Sequence, residues 1–373
     1  MKFVVCFVTI LALQEVFCGW FSNSDSNVIH TWKLSDKSLT GIPSAVVHDT
    51  QEDKLYLSIP RVKTGIPDTL VQLTKKDKKN SPKLKPFVGQ PKKSLTSVYH
   101  LAIDECKRLW VLDAGRIDNN EEKKKYVTQI PMLIAFDLRS HNKSEIYRGD
   151  LHDVLEPTFF GQFAVDVINP ESGCDRTFIY IPNDKENMIY VHDMKTRGSW
   201  IVENKFSYYK PQTKTVLDAF GKDLKYESGI RAISLGDRNN QGHREAYYIV
   251  GSGTKVWRVN TAHLKQYTFT NWTPILVGDR GKDTEAPTMV YDPKTKVIFF
   301  AEPKLNRISC WNTKREFTDK NLDVVYKKEN ISVTDFSVDQ NGNLWFMSYE
   351  SSNSWYDWML FWKSDEDMKT SPC

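Results

Sequence analysis

The segment LAIDECKRLWVLDAGR, residues 101–116, decides the fold of this chain. A short apolar strand ends at Asp104, a polar turn follows, and a second strand with strongly β-prone residues begins near Arg108. The same pattern recurs in five other copies, which begin at Ala45, Phe163, Ala232, Met289 and Phe336. Their spacing of roughly 45 to 70 residues is what one four-stranded propeller blade with its loops requires.

The repeat therefore predicts an all-β protein, a six-bladed β-propeller with a central ligand-binding channel. A seven-bladed ring or a pair of packed sheets is the alternative. Because no Pro/Gly/Ser linker divides residues 19–373, we expect them to form a single domain. Helices are expected to be few and short, with one candidate around Val216 to Phe220.

The chain begins with a secretory signal peptide, predicted to span residues 1–18. One lysine precedes an apolar run of about a dozen residues, which Gln14 and Glu15 interrupt before it reaches the ~20 residues of a membrane span. A secreted chain can be N-glycosylated, and three sequons start at Asn142, Asn271 and Asn330. We expect an extracellular protein with no membrane partner.

Four cysteines remain after the leader is removed, namely Cys106, Cys174, Cys310 and Cys373. An even number in an oxidising compartment predicts two disulfides. Four cysteines allow three pairings, and loop-closure entropy favours the two that are shortest in sequence, Cys106 with Cys174 and Cys310 with Cys373. No metal site is expected, because no CxxC spacing or histidine pair accompanies them.

In a propeller the first strand of each blade lines the centre, so equivalent positions should form a ring. The residues five positions before the strand-end turn, here called the inner ring, are Ser44, Tyr99, Gly161, Arg231, Pro287 and Thr334. Their close neighbours are His100, Phe159, Phe160, Gln162, Glu285 and Asp335. Aromatic faces, hydroxyls and one cation suit a flat small molecule with polar ends. The competing interpretation is that these residues only pack together or face water.

Catalytic patterns are absent from the sequence. It contains no HExxH, GxSxG, phosphate-loop or EF-hand motif, and no inner-ring position carries an acid that would hold a divalent ion. His48 and His192 lie beside strand-end aspartates, which favours structural hydrogen bonds over metal ligation. We therefore expect a binding protein without a cofactor rather than an enzyme.

Four segments carry a resemblance to a known family: LAIDECKRLWVLDAGR, FAVDVINPESGCDRTFIYIPN, RISCWN and FSVDQNGNLWFMS. They resemble the yellow and major royal jelly protein family of insects, and look most like the yellow-related salivary proteins of sand flies. The resemblance implies a six-bladed propeller and the same two disulfides. In the salivary branch it also implies capture of biogenic amines such as serotonin, histamine and catecholamines. The family includes members with suspected dopachrome-converting activity, so an enzyme of that kind is an alternative.

The resemblance also implies ligand-binding residues. Thr334 matches the amine-contacting threonine, Tyr99 the aromatic wall, and Phe160 occupies the neighbouring apolar position. Two departures stand out. Tyr349 and Ser351 replace an expected Asn and Phe, and Arg231 replaces an expected aromatic residue.

Arg231 is the main objection to an amine ligand. Two like charges about 4 Å apart, at an effective dielectric constant near 20, repel by roughly 4 kcal/mol. Glu285 or Asp335 is available to neutralise Arg231, or the guanidinium lies flat on an aromatic ring. Alternatively the ligand is an anion, such as an eicosanoid, which Arg231 anchors.

A run of lysines between Lys75 and Lys93, opposed only by Asp77, offers a second kind of surface. Such a cluster can bind anionic glycans, although a solvated loop is the simpler interpretation. The net charge of the whole chain is only +4. We expect a small amine as the partner, without nucleic acid, and a monomeric protein.

Overall fold

In the repeats that contain Asp104 and Asp339, the aspartate at the end of the first strand begins a tight hairpin. In the computed structural model, Asp104 Oδ1 accepts the backbone N–H groups of Cys106 at 2.9 Å and Arg108 at 3.0 Å. Its second oxygen accepts the indole N–H of Trp110 at 2.7 Å. In the last repeat the same bonds join Asp339 to Asn341, Asn343 and Trp345. These acids are therefore turn formers, and they anchor the tryptophan six residues further along.

The structure describes residues 30–34, 41, 43–62, 65–74, 76–78, 80, 82–89, 91, 93–119, 124–151, 160–185, 187–203, 215–217, 223–225, 228–267, 274–352 and 355–363. Several predicted features lie outside these residues. They are the signal peptide 1–18, Cys373, Asn271, Phe159, Lys75, Lys79 and Lys92.

Within the described residues, six antiparallel sheets of four strands each follow one another along the chain. Sheet 1 consists of Ala45–Asp49, Lys54–Ser58, Leu70–Thr74 and Lys85–Pro86. Sheet 2 consists of Val98–Ile103, Arg108–Asp113, Met132–Asp137 and Glu145–Asp150. Sheet 3 consists of Ala164–Val167, Thr177–Pro182, Met188–Asp193 and Ser199–Glu203.

The second half of the chain repeats this arrangement. Sheet 4 consists of Ile230–Arg238, Arg244–Val250, Lys255–Asn260 and Ile275–Asp279. Sheet 5 consists of Met289–Asp292, Val297–Glu302, Arg307–Asn312 and Leu322–Lys327. Sheet 6 consists of Ile331–Val338, Leu344–Ser352, Trp355–Lys363 and, on its outer edge, His30–Leu34 from the beginning of the chain.

Smaller elements lie between or beside these sheets. Two ribbons pair Arg116–Asn119 with Lys124–Val127 and Thr215–Leu217 with Asp223–Lys225. The helix predicted around Val216 to Phe220 is therefore wrong at residues 216 and 217, because Thr215–Leu217 pairs as a strand with a segment close by. Residues 218–220 lie outside the described part of the chain. Helical turns occur at Thr261–Leu264, Pro303–Leu305 and Asp319–Asn321. No helix in the described part of the chain is long and apolar enough to cross a membrane.

Six hydrophobic clusters each join one sheet to the next. For example, Tyr56 of sheet 1 packs with Leu109 of sheet 2, and Tyr180 of sheet 3 packs with Tyr248 of sheet 4. The cluster that contains Trp32 and Trp345 of sheet 6 also contains residues of sheet 1, so the succession of sheets returns to its start. This is a β-propeller arrangement, and the prediction of an all-β propeller is confirmed.

Large aromatic rings fill the spaces between the sheets, as predicted. Trp110 and Trp345 are fully buried, Trp311 is buried, and Trp257 is partly buried against the same kind of cluster. Flat side chains of this size bridge two facing sheets and contribute much of the buried apolar area.

The predicted disulfide between Cys106 and Cys174 is present. It ties the first hairpin of sheet 2 to that of sheet 3 across 68 residues of sequence. Arg108 reinforces the junction, because its guanidinium bonds to Asp104, to the carbonyl of Cys174 and to Thr177. Cys310 is disulfide-bonded.

Two of the three glycosylation sequons fall on described residues. Asn142 and Asn330 are exposed and lie in turns between strands. Their positions suit the surface loops that the sequons predict, and occupancy by sugar stays a prediction.

Replacing both Cys106 and Cys174 with serine should lower the free energy of unfolding by about 2–4 kcal/mol, because the unfolded chain regains the freedom that the cross-link removes. Guanidinium unfolding of the variant beside the wild type measures the change. A difference near zero would show that the packing around Arg108 alone holds the two hairpins together.

Candidate functional site

Three inner-ring residues are the extra residues of β-bulges. The register of the first strand shifts between Val98 and His100 in sheet 2, and Tyr99 is the residue left over. Arg231 occupies the same place in sheet 4, where the shift lies between Ile230 and Ala232. In sheet 6, Thr334 is the residue passed over by the shift between Val333 and Asp335. Bulges re-aim side chains and are enriched beside active and binding sites.

The bulges affect the burial and the direction of these three side chains. Tyr99, Arg231 and Thr334 are each half-buried, while most of the residues around them are buried. A bulged residue is released from the alternation of the strand, so its side chain need not pack against a neighbouring sheet. The three residues that the sequence singled out are thus placed at one level of three different sheets.

Sheet 3 contributes to the same level by close backbone contact. A Cβ atom on Gly161 would lie 2.2 Å from the carbonyl oxygen of Arg231, so only glycine fits there. The N–H of Gln162 donates to that same carbonyl at 2.9 Å. Phe160, which is 5% exposed, accepts a hydrogen bond at its carbonyl from His100 Nε2 at 3.0 Å. Tyr99, Phe160 and Arg231 therefore belong to one connected group.

Arg231 pairs with Asp184, an acid that sequence reasoning missed. Arg231 Nη1 bonds to Asp184 Oδ2, and the carboxylate, whose side chain is 1% exposed, also accepts from Ser228 Oγ at 2.5 Å. Asp184 lies just after the second strand of sheet 3, at the end of the segment FIYIPND. The sequence shows an acid at position 184, but no local pattern connects it with Arg231, which lies 47 positions further along the chain.

The two acids proposed from the sequence as partners of Arg231 have other partners. Glu285 pairs with Lys304 at 3.2 Å. Asp335 accepts the backbone N–H of Val46 at 2.8 Å. The expectation that either one neutralises Arg231 is therefore wrong, because the carboxylate that pairs with Arg231 is Asp184.

Burial and the nearby guanidinium set the charges around the ring. Burial lowers the pKa of His100 to about 4, and the positive charge of Arg231 acts in the same direction. Burial raises the pKa of Asp335 to about 8, although the N–H groups of Val46 and Phe336 and the charge of Arg231 oppose it. At neutral pH the group therefore contains a neutral imidazole, a protonated carboxyl and the Arg231–Asp184 ion pair.

The remaining predicted residues are placed as follows. Thr334 Oγ1 donates to the carbonyl of Met347 at 3.3 Å, a long bond that a ligand can replace. The carbonyl of Tyr99 accepts from the hydroxyls of Ser44 and Ser58. The backbone of Tyr349 pairs with Ser332 on the second strand of sheet 6. The side chain of Tyr349 lies outside the described residues.

The histidines beside strand-end acids make structural hydrogen bonds, as predicted. His48 Nδ1 lies 2.7 Å from Asp339 Oδ2. His192 lies between the hydroxyls of Tyr147 at 2.6 Å and Ser199 at 2.8 Å. Among the described residues, no group of three or more His, Cys, Asp or Glu side chains is arranged to hold a metal ion.

The fold and this ring define a β-propeller with a candidate small-molecule site at the start of its inner strands. Comparison with known families then places the chain. The model for the major royal jelly protein family matches residues 96–359, and the chain belongs to that family.

Its relatives are sand-fly salivary proteins, as the sequence segments predicted. The chain is 44% identical over 331 residues to the yellow-related salivary protein SP04 of Phlebotomus argentipes, covering 87% of this chain and 80% of the relative. It is 40% identical to the yellow-related salivary protein M10 of Phlebotomus duboscqi, covering 93% and 90%. It is 42% identical to the yellow-related salivary protein LJM11 of Lutzomyia longipalpis, covering 82% and 79%.

Solved structures are matched more distantly. A luciferin-regenerating enzyme aligns with a TM-score of 0.49 and 11% identity, over 90% of this chain and 97% of that one. This similarity is too low to support any inference about the site.

The raised pKa of Asp335 predicts how stability changes with pH. A carboxyl whose folded pKa lies above its ordinary value of 3.8 stabilises the fold while protonated, and this contribution is lost as the pH rises toward about 8. The loss is at most about 1.4 kcal/mol per pH unit. Asp335→Asn cannot ionise, so its free energy of unfolding relative to the wild type should increase between about pH 5 and pH 8.

Urea unfolding of both proteins across this pH range measures the difference, and the comparison of the two removes the effect of every other titrating group. A difference that stays constant would show that Asp335 is ionised in the folded protein at neutral pH.

Proposed function

We propose that this protein is a secreted salivary scavenger that binds biogenic amines, with serotonin as the reference ligand. In this proposal the six sheets are the blades of one propeller, and the ligand lies in a central channel at the level of the inner ring. The protein acts by stoichiometric capture as a monomer, with neither catalysis nor a cofactor.

The observation that carries the proposal is the coincidence of the bulges with the predicted ligand residues. Tyr99, Arg231 and Thr334 are inner-ring positions of the repeat, and each is the extra residue at a β-bulge of its strand. Each bulge disrupts the backbone pairing of its strand, so three bulges at one level suggest that the side chains they redirect have a function. A binding site for a small molecule gives them a use.

The electrostatics remove the objection that Arg231 raised. Its charge is held by Asp184, a buried carboxylate, so an incoming ammonium group meets an ion pair rather than an isolated cation. His100 adds no further positive charge, because burial and Arg231 keep it neutral. In our proposal the aromatic ring of the ligand packs on Tyr99, and its ammonium donates to Thr334 and neighbouring carbonyl oxygens.

A scavenger must bind tightly, because it works one molecule at a time. Submicromolar binding corresponds to a free energy of about −8 kcal/mol or better. The salivary relatives support this role. The alternative, dopachrome conversion, would require steady product formation by substoichiometric protein.

Calorimetric titration with serotonin should show saturable one-to-one binding by the wild type. Thr334→Ala should weaken it about tenfold or more, because it removes one hydrogen bond to a charged group, worth about 1.5–3 kcal/mol. Thr196→Ala is the matched control, since Thr196 is exposed at a hairpin of sheet 3 and bonds only locally, to Asp193 at 2.9 Å. Equal affinity of wild type and Thr334→Ala would refute the proposed pose.

A second candidate function rests on the lysine-rich surface. Lys76, Lys78, Lys83 and Lys85 are all exposed along the outer edge of sheet 1. Asp77, the acid among them, accepts bonds from the N–H and hydroxyl of Thr74 and lies 3.5 Å from Lys85. Most of the positive charge is therefore available to an anionic partner, and a sulfated glycan fits it.

Retention on immobilised heparin tests this second function. The double variant Lys83→Gln with Lys85→Gln should elute at clearly lower salt than the wild type, because two phosphate- or sulfate-type contacts are lost. Lys282→Gln is the control, since that side chain is 84% exposed in the turn that follows sheet 4. Identical elution of all three proteins would mean that the surface is only a solvated loop.

A further inference from the structure

Gln162 joins sheets on opposite sides of the ring. It precedes the first strand of sheet 3, yet its side-chain Nε2 donates to the carbonyl of Phe336 in sheet 6 at 3.1 Å. Its Oε1 accepts from Thr288 Oγ1, just before the first strand of sheet 5, at 2.7 Å. The side-chain amide of Gln162 thus bonds to sheets 5 and 6, and neither of these is adjacent to sheet 3.

The backbone of Gln162 is held just as firmly. Its N–H donates to the carbonyl of Arg231 at 2.9 Å, and its carbonyl accepts from Ile233 at 3.2 Å. This pairing forms a parallel bridge with Ala232 of sheet 4. The starting point of the side chain is therefore fixed, and the amide cannot swing away without breaking two bonds to other sheets.

The position of sheet 3 in the ring determines that the side chain of Gln162 crosses the central axis. When six sheets follow one another around a circle, the third and the sixth face each other across the centre. A side chain that bonds from sheet 3 to sheet 6 therefore crosses the axis. Gln162 lies one residue beyond inner-ring Gly161, and Phe336 lies two residues beyond inner-ring Thr334, so the crossing occurs just below the ring.

We propose that Gln162 closes the central channel directly beneath Tyr99, Arg231 and Thr334, so that the site is a cup with one opening. The inference rests on the proposed function for its ligand, and it adds a limit on ligand length. A short arylalkylamine fits between the amide and the opening, whereas a ligand with a long extension on its inner end is excluded.

The same contacts make Gln162 a positioning residue. It holds the carbonyl of Arg231 through its backbone and the carbonyl of Phe336 through its side chain. Two of the three bulged strands are therefore fixed by one residue, and these strands carry the cation and the threonine of the site.

Binding of extended ligands tests the closure. The probes are serotonin and two tryptamines extended at opposite ends, 5-(octyloxy)tryptamine and N-octyltryptamine, titrated into wild type and Gln162→Ala. The wild type should bind serotonin and reject the compound whose chain points inward. Gln162→Ala should bind that compound at least tenfold more tightly than the wild type does, because the chain can pass through the opened floor.

Two controls keep the result interpretable. Gln340→Ala removes an exposed glutamine on a turn and should leave all three affinities unchanged. Gln162→Asn keeps an amide but shortens the side chain by one methylene, so it should open the same gap if the alanine variant does not fold. The inference is overturned if both variants of Gln162 keep serotonin binding and neither gains affinity for an octyl compound.

A crystal structure of the unliganded protein decides the closure independently of amine binding. The inference predicts the Gln162 amide within hydrogen-bond distance of both Phe336 O and Thr288 Oγ1. An open axis at that level overturns it, even if serotonin binds. Conversely, absence of serotonin binding with the amide in place contradicts the proposed function and leaves the closed floor established.

Discussion

Closure of the ring is the constraint on which the rest of the structure depends. His30–Leu34, from the beginning of the chain, pairs with Trp355–Lys363 near its end, and Trp32 stacks near Trp345 with ring centroids 6.1 Å apart. Because the inner ring takes its residues from separate sheets, its geometry exists only when this last sheet is complete. The candidate site is therefore a property of the closed molecule and of no single repeat.

Closure also leaves a row of unpaired backbone groups along the inner strands, and side chains of neighbouring sheets satisfy them. Val46 N–H bonds to Asp335, Val98 N–H to Thr69 at 2.7 Å, and Tyr291 N–H to Ser234 at 2.9 Å. In each pair the acceptor belongs to the preceding sheet, so the edges are tied in one direction around the ring. A buried N–H without a partner costs about 1–3 kcal/mol, so these contacts are needed and the polar groups that make them are not free for a ligand.

The local sequence pattern predicted the features that depend on interactions between residues close together in the chain. Period-two alternation and the strand-end aspartates identified the repeat, because each hairpin is built from hydrogen bonds within a few residues. The ring positions followed from counting back along each repeat. The Asp184 partner of Arg231 was missed because it depends on how sheets 3 and 4 meet, and the bulges were missed because they depend on register between strands. The pairing of 215–217 with 223–225 was missed because the second segment carries no strong strand signal.

The central claim is that a small amine is held at the inner ring, above Gln162. A crystal structure of the protein soaked with serotonin tests this most directly. The account predicts one ligand molecule per chain, with its ring against Tyr99, its ammonium within about 3 Å of Thr334 Oγ1, and the Arg231–Asp184 pair intact. Ligand bound elsewhere on the molecule, or an anion seated on Arg231 in place of the amine, would contradict it.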